Sequence, residues 1–232
     1  MSNHRLLTEP GALVAGLTVA LDDEEAHHLR VRRAEAGQGA KLFDGAGVTA
    51  RGVLARAGKG WEIAVGEVEH HPAASVLILA VGAGDRDRFL ALAEKCTELG
   101  VTRLVPLVTE RSAQVETRLR DAGVERARRR AREACKQSGN PWATLVENLT
   151  PIDALSRYAH GVNWFLADPE GAPPGVIAGD ASVGWCIGPE GGFAEVEAAA
   201  LREQLRAEPV RLGRYVMRFE TAAVVAAAVM RA

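Results

Sequence analysis

Three cysteines in 232 residues are too few and too scattered to staple a fold. Cys96, Cys135 and Cys186 are odd in number, and no two show the Cys-x-x-Cys spacing of a zinc or redox site. His27 and His28 have no third ligand near them in the sequence, so no metal is expected. Aromatic residues make up only 5% of the chain, and the core must therefore be built from aliphatic side chains and abundant alanine. No apolar run approaches the length of a membrane span, and "MSNHRLLTEPG" lacks the hydrophobic stretch of a secretory signal. The expectation is a soluble, cytoplasmic protein. A strong charge of one sign is missing too, with a formal net charge of −2. The balance is uneven along the chain, basic in the middle and acidic toward the end, so any electrostatic recognition is local.

What is present divides into two grammars. Residues 1–72 read as a small β-rich unit with one short helix. Asp22 and Glu25 in "LDDEEAHHLRVRR" have capping-box spacing and place His27, His28 and Arg30 on that helix. "AKLFDGAG", "VTARGVLARAG" and "GWEIAVGEVE" read as strands separated by glycine-bearing turns, and "EHHPAAS" as the linker that ends the unit. Residues 73–232 alternate strand and helix. "SVLILAV" is a strand buried on both faces, "DRFLALAEKCTELG" an amphipathic helix, "VTRLVPLVT" a strand, and residues 121–138 a long basic helix. "NWFLADPEG" and "SVGWCIGPEGG" follow as strands, then the helix "FAEVEAAALREQL", the short strand "PVRLG" and the helix "ETAAVVAAAVM". The alternation predicts an α/β domain with a mostly parallel sheet.

Within that domain "IGPEGGFAEVE" leaves a buried strand and opens a helix, the place where ligands bind in open α/β sheets. No Lys-Ser/Thr follows the glycines, and the G-x-G-x-x-G fingerprint is not met, so neither a nucleoside triphosphate loop nor a dinucleotide loop is indicated. Taken alone, the glycines fit a tight strand-to-helix turn as well as a ligand pocket. A second unusual loop, "RLGRYVMRFETAA", also lies between a strand and a helix and carries Arg218 and Glu220.

These two loops, in this order, resemble those of the SPOUT methyltransferases, whose C-terminal chain is tied in a trefoil knot. More narrowly they are similar to the family that methylates N3 of a uridine in 16S ribosomal RNA. Gly188 to Gly192 match the family's first loop in full, and Leu212, Gly213, Arg218, Glu220, Thr221 and Ala222 match the second. "EAHHLRVRR", "EKCTELGV", "TERS" and "EACKQSG" resemble further family words in the same order. The chain departs from the pattern at Asp85-Arg86, Asn140, Arg214-Tyr215, Met217 and Phe219. Ala194 stands where the family has a helix-capping serine, which predicts a loss of about 1 kcal/mol of helix stability.

The resemblance implies an N-terminal PUA-like RNA-binding β-barrel over residues 1–72 and a SPOUT α/β-knot domain over residues 73–232. It implies S-adenosylmethionine as cofactor, held by Leu166 and Asp168 from one strand end and by Ile187, Gly188, Pro189, Gly191 and Gly192 from the first loop. Leu212, Gly213, Met217, Thr221 and Ala222 of the second loop complete that set. Glycine and alanine leave room for adenosine against backbone groups, and Ile187, Leu212 and Met217 serve as apolar walls. Uracil N3 attacks poorly until its proton leaves, so Arg218 is the candidate for balancing charge on the uracil oxygens, and Glu190 or Glu220 for taking the proton or orienting the arginine. Glutamates in first helical turns also serve simply to offset the helix dipole. Arg5, His28, Arg30, Arg32, Arg33 and Arg111 are the implied RNA contacts. The basic helix over residues 121–138 is a further source of phosphate contacts or a solvated face. The partners expected are the 16S rRNA of the 30S subunit, at a uridine of the decoding region, and a second copy of the chain in a homodimer. The last helix, apolar nearly all round, fits that second expectation. Methylation at a different base or ribose hydroxyl, or RNA binding without catalysis, are the alternatives.

Overall fold

The computed structural model describes residues 4–113, 119–175 and 181–229. Two units are present, one formed by Met1–Ala73 with Arg132–Ala143, the other by Ala74–Ala131 with Thr144–Ala232.

In the first unit, β1 (His4–Leu7), β2 (Thr18–Ala20), β3 (Gly39–Phe43), β4 (Val48–Ala57) and β5 (Gly60–His70) lie in the order β1-β3-β4-β5-β2. Helix α1 (Asp23–Val31) follows β2. β1 pairs with β3 in parallel, and the other ladders are antiparallel. Alternation along β5 turns Trp61, Ile63 and Val65 inward, where they meet Leu6, Leu29, Leu42 and Leu54. β1 and β2, three or four residues long, were not anticipated from the sequence, being too short to show a period.

The cap of α1 forms by half. Asp22 Oδ1 accepts from the Glu25 N–H at 2.8 Å, as its spacing predicts. The Glu25 carboxylate instead turns inward, 2% exposed, where it accepts from the Leu7 N–H at 3.3 Å and from Lys136 Nζ at 2.5 Å. Burial raises the Glu25 carboxyl above its ordinary value, against the pull of the Lys136 ammonium. Lys136 reaches Glu133 as well, at 2.6 Å. Cys135 packs beside Leu7 and Phe43, and burial pushes its thiol up to about 12. That cysteine is a packing residue rather than a nucleophile.

The second unit opens with β6 (Leu77–Gly82), α2 (Arg86–Glu98), β7 (Arg103–Val108) and α3 (Asp121–Ser138), whose last turns from Arg132 belong to the first unit. β8 (Leu145–Val146), β9 (Thr150–Pro151), a 3-10 helix over Ile152–Tyr158, β10 (Asn163–Ala172), β11 (Val183–Ile187), α4 (Glu195–Leu205), β12 (Glu208–Val210) and α5 (Phe219–Val229) follow. The sheet runs β12-β10-β11-β6-β7-β8, with β9 also on β7, and its ladders are parallel. β6 is buried at all six positions. Leu77, Leu79 and Val81 meet α2, α3 and α5 residues such as Phe89, Ala127 and Ala223, whereas Ile78 and Ala80 face Trp164, Leu201 and Leu205. Both faces are therefore covered, which is why the strand reads as one apolar run.

The buried pair in the first unit generates a test. Lys136→Met would strand the Glu25 carboxylate without a cation, at a cost of about 3 kcal/mol near neutral pH. With its folded-state pKa raised further, Glu25 would bind more protons folded than unfolded above its ordinary value of 4.5, so stability falls as pH rises through that window. Urea melts should show a larger loss at about pH 8 than at about pH 5.

Candidate active site

Parallel strands all end on one side of a sheet, so β10, β11 and β12, adjacent in the order, deliver three loops to one edge. β10 breaks register against β12 between Ala167 and Ala172, both of which pair with Val210, so that Asp168, Pro169 and Glu170 bulge out of the ladder. β11 leaves the sheet at Ile187 into residues 188–194, and β12 leaves at Val210 into residues 211–218. Together these segments enclose a cavity of about 470 Å³. That is within the range of small-molecule and cofactor sites.

The first loop is shaped by backbone contacts. The Gly192 N–H donates to the Pro189 carbonyl at 2.7 Å, and Gly192 holds a φ of +73°, a conformation that favours glycine. A Cβ at Gly188 would lie 2.9 Å from the Phe193 nitrogen and 3.0 Å from Gly192 backbone atoms. The helix that follows is better capped than Ala194 predicts. Glu197 accepts from the Ala194 N–H at 2.8 Å through one oxygen, and from the Glu110 N–H at 2.8 Å through the other. The missing hydroxyl is thus offset in part by a carboxylate at the third helical position.

The sequence-predicted residues separate into groups. Asp168, Ile187, Gly188, Pro189, Glu190 and Gly192 line the cavity, as do Leu212, Gly213, Met217 and Ala222. Leu166 lies beneath it, 2% exposed in the core with Trp164 and Leu201. Gly191 stands outside the lining, next to Arg111, whose guanidinium donates to the Gly191 carbonyl. Thr221 and Arg218 are exposed in the first turn of α5 and just before it, and the Arg218 side chain makes no hydrogen bond or ion pair among the described residues. Asp168 is tied to Arg202 of α4 at 2.9 Å.

Arg88, in the first turn of α2, was not singled out from the sequence. Its guanidinium donates to Glu190 at 3.1 Å and lies 3.9 Å from Glu220. One cation thereby serves both candidate carboxylates, one from the β11–α4 loop and the other from the first turn of α5. Glu220 Oε2 is buried without a hydrogen-bond partner among the described residues. No local pattern announces such a residue, because its partners are 102 and 132 positions away in sequence. Arg214, Tyr215 and Val216, which fall within the second loop but were given no individual role from the sequence, also line the cavity, as do Phe193 and Arg211.

In the first unit, Arg30, Arg32 and Arg33 are exposed at and beyond the end of α1. His28 is half-buried. Burial, with Arg32 and Lys136 nearby, holds its imidazole below the ordinary value, which favours the neutral form at neutral pH. Arg5 donates at 2.8 Å to the carbonyls of Lys136 and Gln137, closing a helix C-terminus.

The chain matches two family models: an RNA methyltransferase domain over residues 71–231 and an RNA methyltransferase PUA domain over residues 21–60. It is 29% identical to the ribosomal RNA small subunit methyltransferase E of Synechocystis sp., over 99% of this chain and 77% of that one. The enzyme of the same name from Rickettsia conorii is 25% identical over 68% of this chain, and the match spans 64% of the relative's length. Among solved structures, the ribosomal RNA small subunit methyltransferase E of Neisseria gonorrhoeae bound to S-adenosyl methionine superposes with a TM-score of 0.86 at 26% identity. That match covers 99% of this chain and 97% of the other. A probable rRNA-methyltransferase from Porphyromonas gingivalis gives a TM-score of 0.79 at 27% identity, over 96% and 94% of the two chains. With the methyltransferase model spanning the strands, loops and helices that build the cavity, the chain belongs to the RNA methyltransferase family and carries a PUA domain ahead of the RNA methyltransferase domain.

Proposed function

We propose that this protein transfers a methyl group from S-adenosylmethionine to N3 of one uridine in the decoding region of 16S rRNA. The observation that carries the reading is the cavity at the ends of β10, β11 and β12, in a chain that superposes over nearly its whole length on a methyltransferase E bound to that cofactor. The cavity's chemistry fits the cofactor. Ile187, Leu212 and Met217 offer apolar walls for adenine, Gly188 keeps backbone accessible, and Asp168 and Glu190 are acids on a wall that would face a cation. When bound, the cofactor supplies an electrophilic methyl group. The protein's part is to align the uracil, remove the N3 proton and balance charge on the ring oxygens. In this reading Glu190 or Glu220 receives the proton, Arg88 holds both carboxylates in place, and exposed Arg218 faces the uracil oxygens.

Residues 1–72 act in this reading as the RNA-reading domain through Arg30, Arg32 and Arg33, and residues 73–232 as the catalytic domain with its knotted C-terminus. The setting is the cytoplasm, with the 30S subunit or its rRNA as substrate. A homodimer completes the proposal. It is supported by α5, where Val224 and Val225 are half-buried and Val229 is 42% exposed, an apolar surface that suits a second copy.

Four outcomes are expected. Mass spectrometry of 16S rRNA from a strain lacking the gene should show one uridine without its N3 methyl, restored by the wild-type chain. Arg218→Ala should restore it with turnover lower by about a hundredfold, a typical cost of losing a charge-stabilising donor; full restoration at the wild-type rate removes Arg218 from the chemistry. Gly188→Ala should weaken S-adenosylmethionine binding in calorimetry by roughly tenfold, since backbone has to move. Light scattering at micromolar concentration should give the mass of a dimer, and a monomer mass would count against that part of the reading.

A further inference from the structure

The loop between β12 and α5, "RLGRYVMR", is held at both ends. The Arg211 N–H donates to the Ala172 carbonyl at 2.8 Å, and the Arg218 carbonyl accepts from the Ala222 N–H at 2.9 Å. Between these anchors it folds back on itself, so that a Cβ at Gly213 would meet Met217 Cε at 2.5 Å. The tip carries the surface that stands out in this chain. Tyr215 is 76% exposed and Val216 81% exposed, in a protein with only two tyrosines. The Arg214 guanidinium lies 5.5 Å from the Tyr215 ring centroid. Arg211, Arg214 and Arg218 are all exposed, and none forms an ion pair among the described residues.

The surroundings leave that positive charge largely uncompensated. Of the acids lining the cavity, Asp168 is paired with Arg202 and Glu190 with Arg88, and Glu170 remains. The loop itself contains three arginines and no acid over residues 211–218. An exposed aromatic ring among cations, at the mouth of a pocket, is what unpaired RNA requires. Bases out of a helix stack on aromatic faces and arginine planes, and their phosphates seek guanidinium groups. A duplex hides its base faces and gains only the charge.

We propose that the Arg211–Tyr215 lip is a single-stranded RNA platform, on which a nucleobase next to the target uridine stacks on Tyr215 while Arg211 and Arg214 hold flanking phosphates. It rests on the methyltransferase reading above and deepens it, by locating substrate recognition on the catalytic domain itself and by restricting the substrate to an unpaired segment.

The experiment compares binding of an unpaired uridine-rich oligoribonucleotide and a blunt RNA duplex of equal length to the full chain saturated with S-adenosylmethionine. Wild-type protein should prefer the single strand. Tyr215→Ala should weaken single-strand binding roughly tenfold and erase the preference, and Tyr215→Trp should keep it. Arg214→Ala should make the salt dependence shallower by about one released counterion. Each variant should keep the wild-type circular-dichroism spectrum and thermal midpoint, which reports an intact fold, and saturating cofactor keeps the comparison on RNA. Equal oligonucleotide affinity for Tyr215→Ala and wild type overturns the proposal. So does a Val216→Asp variant that shifts to a smaller mass in light scattering with unchanged RNA binding, which would make the lip a contact between copies. Absence of methyl transfer to 16S rRNA by wild-type protein would refute the catalytic reading separately, while the binding series still decides the platform.

Discussion

A methyl group added at Gly82, at the end of β6, would come within 2.5 Å of Pro189 Cδ, and one added at Gly171 within 2.6 Å of the Pro209 carbonyl carbon. Main chain therefore packs against main chain along the edge of the parallel sheet where the loops emerge. The bulge in β10, the turn over Pro189 to Gly192 and the start of the last loop all depend on this closeness. Side chains interposed there would push the three loops apart, and the cavity would open into a shallow surface.

Charge at the site is managed by pairing acids from one element with cations from another. Arg88 of α2 holds Glu190 of the β11–α4 loop and faces Glu220 of α5, while Arg202 of α4 holds Asp168 of the β10 bulge. Each link joins segments far apart in sequence. Exposed pairs of this kind contribute little to stability. Their value here is orientation, since a carboxylate with a fixed partner presents a defined face to whatever enters the cavity. Among the described residues the arginines of the last loop have no such partners, and that contrast separates groups that shape the pocket from groups that face outward toward an anionic substrate.

The same division runs through the first unit. Lys136 and Glu25 form a buried pair, and Arg5 closes a helix end, so these residues serve architecture. Arg30, Arg32 and Arg33 stay exposed. Among charged residues similar in the sequence, burial and the nearest carbonyl or carboxylate decide which remain available.

The sequence by itself determined the periodic and the punctuated features. The both-face burial of β6, the bounds of α3, the cap at Asp22 and the glycine loop after β11 were all legible, because each depends on neighbours within a few residues. The two glycine-bearing loops also pointed to the pocket, and nine of the residues named from them line it, with Asp168 of the β10 strand end as a tenth. Only the tertiary structure decided the rest. Glu25 has capping-box spacing, yet a lysine 111 residues away in sequence competes for it and wins in a buried setting. Arg88 acquires its role only when α2 is laid beside the β11–α4 loop and the start of α5, far along the chain. Arg132–Ala143 joins the first unit although the helix that begins it starts in the second. Local patterns encode what the backbone will do nearby, whereas long-range pairing depends on which surfaces the folded sheet brings within a few ångströms.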